Sequence, residues 1–382
     1  MDRVIPGADA WRNVAGNPVS RWNAPASVRG AGRTARARIA AGVVAPVVRP
    51  KFALHDDDTF FCIGSCFARN IEEHLMYRGF AVRSMGIARP YSEWPHRPNG
   101  FVNKFTTPSM LNELRWATGE TCSPAACLVQ DEGGWRDLQL APGVGAVAYD
   151  AALERRGRVS EYFARIAHAD VAIVTLGLVE AWFDRSADVY LNAPPNPWAT
   201  RREPDRFALH VTSYATNVEH LRQIVTLLRA HARPGLRTIV SVSPVPMSET
   251  FTGEDVVAAN AYSKATLRAA AEDVANEADD VQYFPSYDAL TTTERRHAFR
   301  SDDELHVRDD AVETVTTSFL RAFGVERSRP HPEFDEMRYL DANHDLYGAI
   351  ERGDVQSGYE HWLAYGRAEG RSLARDATVL AH

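Results

Sequence analysis

Hydrophobic positions fall into short unbroken runs separated by stretches with a four-residue repeat. "TFFCI" (59 to 63), "VAIVTL" (171 to 176), "TIVSVS" (238 to 243) and "VQYF" (281 to 284) are β-branched or aromatic and almost continuously apolar. Strands covered on both faces read this way, so these four are expected in a parallel sheet. Between them the spacing turns helical. Phe67, Ile71 and Leu75 recur at four-residue intervals while Glu72, Glu73 and Arg78 fall elsewhere, with Gly79 placed to stop the helix. Val218, Leu221, Ile224, Val225 and Leu228 mark one face of a second helix at roughly 215–232, a third spans roughly 254–276, and a fourth begins near 309. The alternation predicts an α/β fold, a three-layer sandwich with a mainly parallel sheet.

The same pattern divides the chain. Residues 1–50 lack periodicity and include an arginine-rich stretch, "RGAGRTARARIAAG". They read as an irregular arm lying across the main domain, with Trp11 and Trp22 as anchors. Residues 51–328 form the main domain. Within it, about 80 to 150 is richer in Pro, Gly and Trp and reads as an excursion over the carboxyl edge of the sheet, where sites form. Residues 329–382 form a small helical unit with Tyr339, Leu340, Leu346, Ile350, Tyr359, Trp362 and Leu363 as its mini-core. A unit of that size gains its stability by docking, on the main domain or on a protein partner.

Composition narrows the class. A chain of 382 residues that is 45% hydrophobic can bury a large core. A net charge of -7, with no recurring Lys/Arg stripe, argues against nucleic acid as a partner. No segment approaches the run of roughly 20 apolar residues of a membrane-spanning helix, and no signal-peptide pattern opens the chain. Cys62, Cys66, Cys122 and Cys127 fit neither a disulfide framework nor metal knuckles. A cytoplasmic setting is expected, with no metal.

The candidate chemistry sits in "FFCIGSCFARNIEEHL" (61 to 76). Gly64 permits a tight turn, and Ser65 and Cys66 fall where the strand ends and the helix turns its free N–H groups back on them. A thiol there is expected to be acidified, whereas a serine needs a general base before it can attack. Taken alone, Cys62 and Cys66 read better as buried small hydrophobes, the commonest state of a free cysteine. Late in the chain, "RSDDELHV" (300 to 307) presents Asp303 and His306 in a D-x-x-H spacing. That lets a carboxylate orient an imidazole on one face of a turn, the division of labour of a catalytic triad. A solvated Asp–His pair is the plainer reading.

The order of these blocks resembles the SGNH hydrolase superfamily, and "GSCFA" at 64–68 matches the motif that names the GSCFA family within it. The resemblance continues through "TLGLVEAW" (175 to 182), "SVSPVPMSETF" (241 to 251), "AYSKATLRAAAE" (261 to 272) and "YFPSYD" (283 to 288). It implies a flavodoxin-like sheet and a nucleophile third in the first block, which falls on Cys66, with Ser65 as second choice. It also implies an oxyanion hole from the nucleophile's own N–H, a second-block glycine, for which Gly86 and Gly100 both qualify, and a third-block Asn. The third block here, Gly177-Leu178-Val179-Glu180, has Glu180 in its last position and no Asn, while Asn103 could supply an amide. Ser243 ends a strand on the same edge and lines the pocket or forms a turn before Pro244. His96 and His297 read as loop or surface residues, and Trp94, Trp182 and Trp198 either stack on sugar faces or, at least as readily, pack in the core or loops. The tail is similar to short helical modules attached to bacterial glycan-related proteins.

The expectation is acyl-ester chemistry on a carbohydrate, by a polysaccharide O-acyltransferase or an O-acyl esterase. It needs no cofactor beyond an acyl donor such as an acyl thioester in the transferase case. The different-class alternatives are a non-catalytic carbohydrate-binding pseudoenzyme and a scaffold acting through the tail.

Overall fold

The computed structural model describes residues 4–25, 31–120 and 127–374. Its strands are β1 (Thr59–Gly64), β2 (Ala81–Val82), β3 (Leu128–Asp131), β4 (Gly134–Asp137), β5 (Val171–Leu176), β6 (Glu180–Asp184), β7 (Val189–Leu191), β8 (Phe207–Val211), β9 (Arg237–Val242) and β10 (Val281–Tyr283). The central sheet has the order β10-β9-β5-β1-β2 and every pairing in it is parallel. All six residues of β1 and of β5 are buried, as their unbroken apolar runs require. One face is covered by helices Thr107–Ala117, Tyr149–Ala164, Tyr214–His231 and Val256–Asn276, the other by helices Cys66–Met76, Ser286–Thr292 and Asp309–Ala322. The chain is therefore an α/β three-layer sandwich, with a small C-terminal helical unit.

Three features depart from the sequence reading. The excursion from 80 to 150 contributes two core helices, Thr107–Ala117 and Tyr149–Ala164, besides the β3–β4 hairpin. Arg155 and Arg156 are buried on the second of these, so charge interrupts the apolar stripe that would have announced it. Residues 180–211 add a separate antiparallel sheet, β7-β6-β8. In the N-terminal arm the tryptophans are not anchors: Trp11 is 77% and Trp22 70% exposed, and helix Gly7–Gly16 buries nothing. Val44 holds the arm instead, buried and donating its N–H to Thr293 Oγ1 at 2.9 Å.

The tail packs into the main domain through a shared cluster. Phe334, Tyr339, Leu346, Tyr347, Tyr359 and Trp362 close on Tyr77 and Ala88, whereas Leu363, expected in the mini-core, is exposed. The Glu336 N–H donates to the Tyr77 hydroxyl at 2.9 Å and the Tyr347 hydroxyl to the His96 carbonyl at 2.8 Å. Among the described residues no helix is long and apolar enough to cross a membrane.

Candidate active site

The order of the central sheet reverses between β1 and β5, and in open α/β sheets ligands bind outside the carboxyl ends of the strands at such a point. Three chain segments meet there. Gly64 closes β1 with φ +153, and a Cβ on it would lie 2.4 Å from the Thr175 carbonyl oxygen of β5. Gly177 follows β5, and a Cβ there would lie 2.7 Å from the Phe105 carbonyl oxygen. Only glycine tolerates these approaches. The third segment, Asn103–Lys104–Phe105, ties the two strand ends together. The Lys104 N–H donates to the Gly64 carbonyl at 2.8 Å, and the Leu178 N–H to the Phe105 carbonyl at 2.7 Å.

Ser65 is the N-cap of helix Cys66–Met76, and Cys66 is its first residue. The Ser65 side chain makes no capping bond; its hydroxyl is buried without a hydrogen-bond partner among the described residues. Cys66 keeps partial exposure. The expected acidification of its thiol is reversed. Burial pushes the thiol up, and the opposing pull of Arg97, Lys264 and the N–H groups of Phe67 and Cys66 is too small to restore it. The sheet end is drier than its sequence suggests.

Two of those cations were missed by the sequence reading. Arg97 is held beside the helix by Asn70 and Glu73, its Nη2 reaching Glu73 Oε2 at 3.0 Å. Lys264, 1% exposed, sits on helix Val256–Asn276 and donates from Nζ to the Gly177 carbonyl at 2.9 Å. Burial pulls its amine down to about 7 against the raising influence of Cys66. Lys264 was legible in principle, because it lies in the apolar stripe of its helix with Leu267 and Ala271. Arg97 sits in a loop and gives no such signal.

The oxyanion candidates separate. Asn103 is buried between the two strand ends, and its acceptor Oδ1 has no partner among the described residues. The Gly86 N–H is taken by the Gln356 carbonyl at 3.1 Å, and its own carbonyl accepts from Arg165, so the C-terminal unit occupies this glycine. The Gly100 N–H closes a turn on the Arg97 carbonyl at 2.8 Å, and a Cβ on it would lie 3.4 Å from the Trp94 ring. Both glycine N–H groups are thus engaged within the fold in this conformation. Glu180 opens β6 and binds loop 247–254, accepting from the Phe251 N–H at 2.9 Å and from the Thr250 hydroxyl. Ser243 adopts the turn role: its hydroxyl accepts from the Val245 N–H at 3.3 Å while its N–H reaches Leu176 of β5.

Asp303 and His306 do pair. The ring Nδ1 meets Asp303 Oδ2 at 2.6 Å, and Asp303 Oδ1 accepts the N–H groups of Leu305 and His306. The His306 N–H first, then its ring and the Leu305 N–H, hold the Asp303 carboxyl well below the usual range. The pair rides on an exposed loop pinched at its base by a bridge between Phe299 and Val307. In this conformation no hydrogen bond joins His306 to Cys66. Cys62 is fully buried in β1, Cys127 is buried, and Cys122 lies outside the described residues.

Residues 59–319 match the model of the GSCFA family, a span that includes the strand-end cysteine, all five central strands and the Asp–His loop. The chain belongs to the GSCFA family. No curated protein and no solved structure matches it. The family motif at 64–68 thus coincides in space with the reversal point of the sheet.

Proposed function

We propose that this GSCFA protein performs acyl-ester chemistry with Cys66 as nucleophile, as an O-acyltransferase or O-acyl esterase acting on a carbohydrate. One observation carries the reading. The thiol of half-buried Cys66 stands at a helix N-terminus on the switch point of the sheet, flanked by two cations, by the buried side chain of Asn103 and by a Ser65 hydroxyl that has no partner among the described residues. The thiolate attacks an acyl carbonyl, the electron pair of the C=O moves to oxygen, and that oxygen meets the Asn103 amide and the N–H groups at the helix start. Collapse expels the alkoxide or thiolate leaving group, which takes up a proton. The enzyme-bound thioester is then resolved by water in an esterase or by a sugar hydroxyl in a transferase.

His306, oriented by Asp303, is the proton carrier in this scheme. Its Nε2 has no partner among the described residues, and the loop must swing on its Phe299–Val307 base to bring that nitrogen to the thiol. The third-block Glu180, bound to Thr250 and Phe251, shapes the neighbouring wall rather than the oxyanion hole.

A carbohydrate-binding protein without catalysis is the second reading, favoured by one observation. Phe251 is 45% exposed and meets Trp182 edge to face at 5.3 Å, an aromatic surface beside the site. A screen of acetyl and longer acyl esters, with and without sugar acceptors, separates the readings. Ester cleavage or acyl transfer supports the enzyme; sugar binding with neither reaction supports the second.

A further inference from the structure

Of the 43 basic residues in the chain only three are lysines, Lys51, Lys104 and Lys264. Arginine is always charged, whereas a buried lysine amine can gain or lose its proton near neutrality. Lys264 is buried, and among the described residues no carboxylate pairs with it. Among the described residues its one hydrogen bond goes to the Gly177 carbonyl, two residues past Thr175, whose register partner is Gly64 at the end of β1, so the strand end that carries Cys66 lies alongside, and the two groups' charges act on one another. The adjacent Ser263 hydroxyl accepts the Val179 N–H at 3.1 Å, so two consecutive residues of this helix fix the loop that follows β5. An ammonium isolated from water and from carboxylates is costly unless an anion forms opposite it.

We propose that Lys264 is the counter-cation of the Cys66 thiolate, held under the switch point so that the nucleophile's negative charge is balanced from inside the protein. This rests on Cys66 being the nucleophile and goes beyond it. The charged groups facing Cys66 are Arg97 from the loop before Pro98 and Lys264 from the helix behind; those facing Lys264 are Cys66 and the Gly177 dipole. Arg97 is already neutralised by Glu73, which leaves Lys264 as the cation without a resident anion.

The test is the pH profile of Cys66 alkylation by iodoacetamide in the full-length protein, read on the 61–76 peptide. Lys264→Met should move the midpoint up by about 1 pH unit or more and slow labelling at pH 7 about tenfold, and Lys264→Arg should restore part of the rate. A mere staple of the Gly177 loop would lower the melting temperature and leave the midpoint in place, and an unmoved midpoint overturns the proposal. Should Lys264→Met not fold, 13Cε-lysine NMR of the wild type and Cys66→Ala decides, with only three signals to assign. The Lys264 midpoint must fall when the thiol is removed; an unchanged midpoint overturns the pairing. No acyl substrate enters either measurement, so a protein that passes them yet never acylates keeps the ion pair and loses the acyl-transfer reading.

Discussion

Lys104 and Lys264 are both buried lysines beside the ends of β1 and β5, and their surroundings differ in one respect. The Lys104 ammonium meets Glu113 and the Gln139 carbonyl, and Arg156 grips the same Glu113 at 2.6 Å while reaching Asp137. Burial pushes the Glu113 carboxyl up, yet Arg156 and Lys104 together hold it below its ordinary value. Lys264 has a carbonyl and a thiol. The first lysine is a strut whose charge is complete within the fold; the second carries a charge that the fold alone does not balance. Burial of a charge therefore reads as structure or as chemistry according to whether its partner is a resident carboxylate.

That contrast can be broken by mutation. Lys104→Met leaves Glu113 and Arg156 buried without their third member and should cost about 3–5 kcal/mol in urea unfolding. Lys264→Met removes a buried charge that has no carboxylate and should change stability by less than about 1 kcal/mol. Equal losses from the two would erase the distinction. Next in size, Asn103→Ala should slow acyl-enzyme formation about 100-fold, as for the loss of one oxyanion donor, with the unfolding midpoint little changed. Stopped-flow acylation measures it; a normal rate would leave the oxyanion hole to backbone N–H groups alone.

A pH-dependent effect is expected where the C-terminal unit docks. Burial, then repulsion from Glu73, pushes the Glu336 carboxyl up to about 8, against the N–H donors of Gly358 and Tyr359. Its folded-state value lies above the unfolded one, so its contribution is fully present below about pH 4.5 and is lost as pH rises towards 8. Unfolding free energy should fall across that window, and Glu336→Gln should flatten the fall. The smallest effect belongs to the arm: Trp11→Ala and Trp22→Ala should each stay within about 0.5 kcal/mol of wild type, since both rings lie in solvent.

What the sequence disclosed follows from the same division. The central strands were legible because both faces are covered, leaving unbroken apolar runs, and Cys66 was legible because strand, glycine and helix adjoin it. The two-residue β2 is too short to show a period. Helix Tyr149–Ala164 was hidden by Arg155 and Arg156, buried in ion pairs that look like surface charge in a linear reading. Asp303 and His306 were placed together by their spacing, as the structure has them. The dryness around Cys66 was not legible, because it depends on Asn103–Phe105 and on helix Val256–Asn276 folding back from distant parts of the chain. Gly86 and Gly100 have the turn character expected of them, but sequence gives no sign that their N–H groups bond elsewhere.

The most direct measurement is peptide mapping by mass spectrometry after reaction with p-nitrophenyl acetate, on the wild type, Cys66→Ala and Ser65→Ala. The account predicts an acetyl group on the 61–76 peptide of the wild type and of Ser65→Ala, sensitive to hydroxylamine at neutral pH as a thioester is, and none on Cys66→Ala. An adduct that survives in Cys66→Ala and disappears in Ser65→Ala would contradict it and assign the chemistry to the serine.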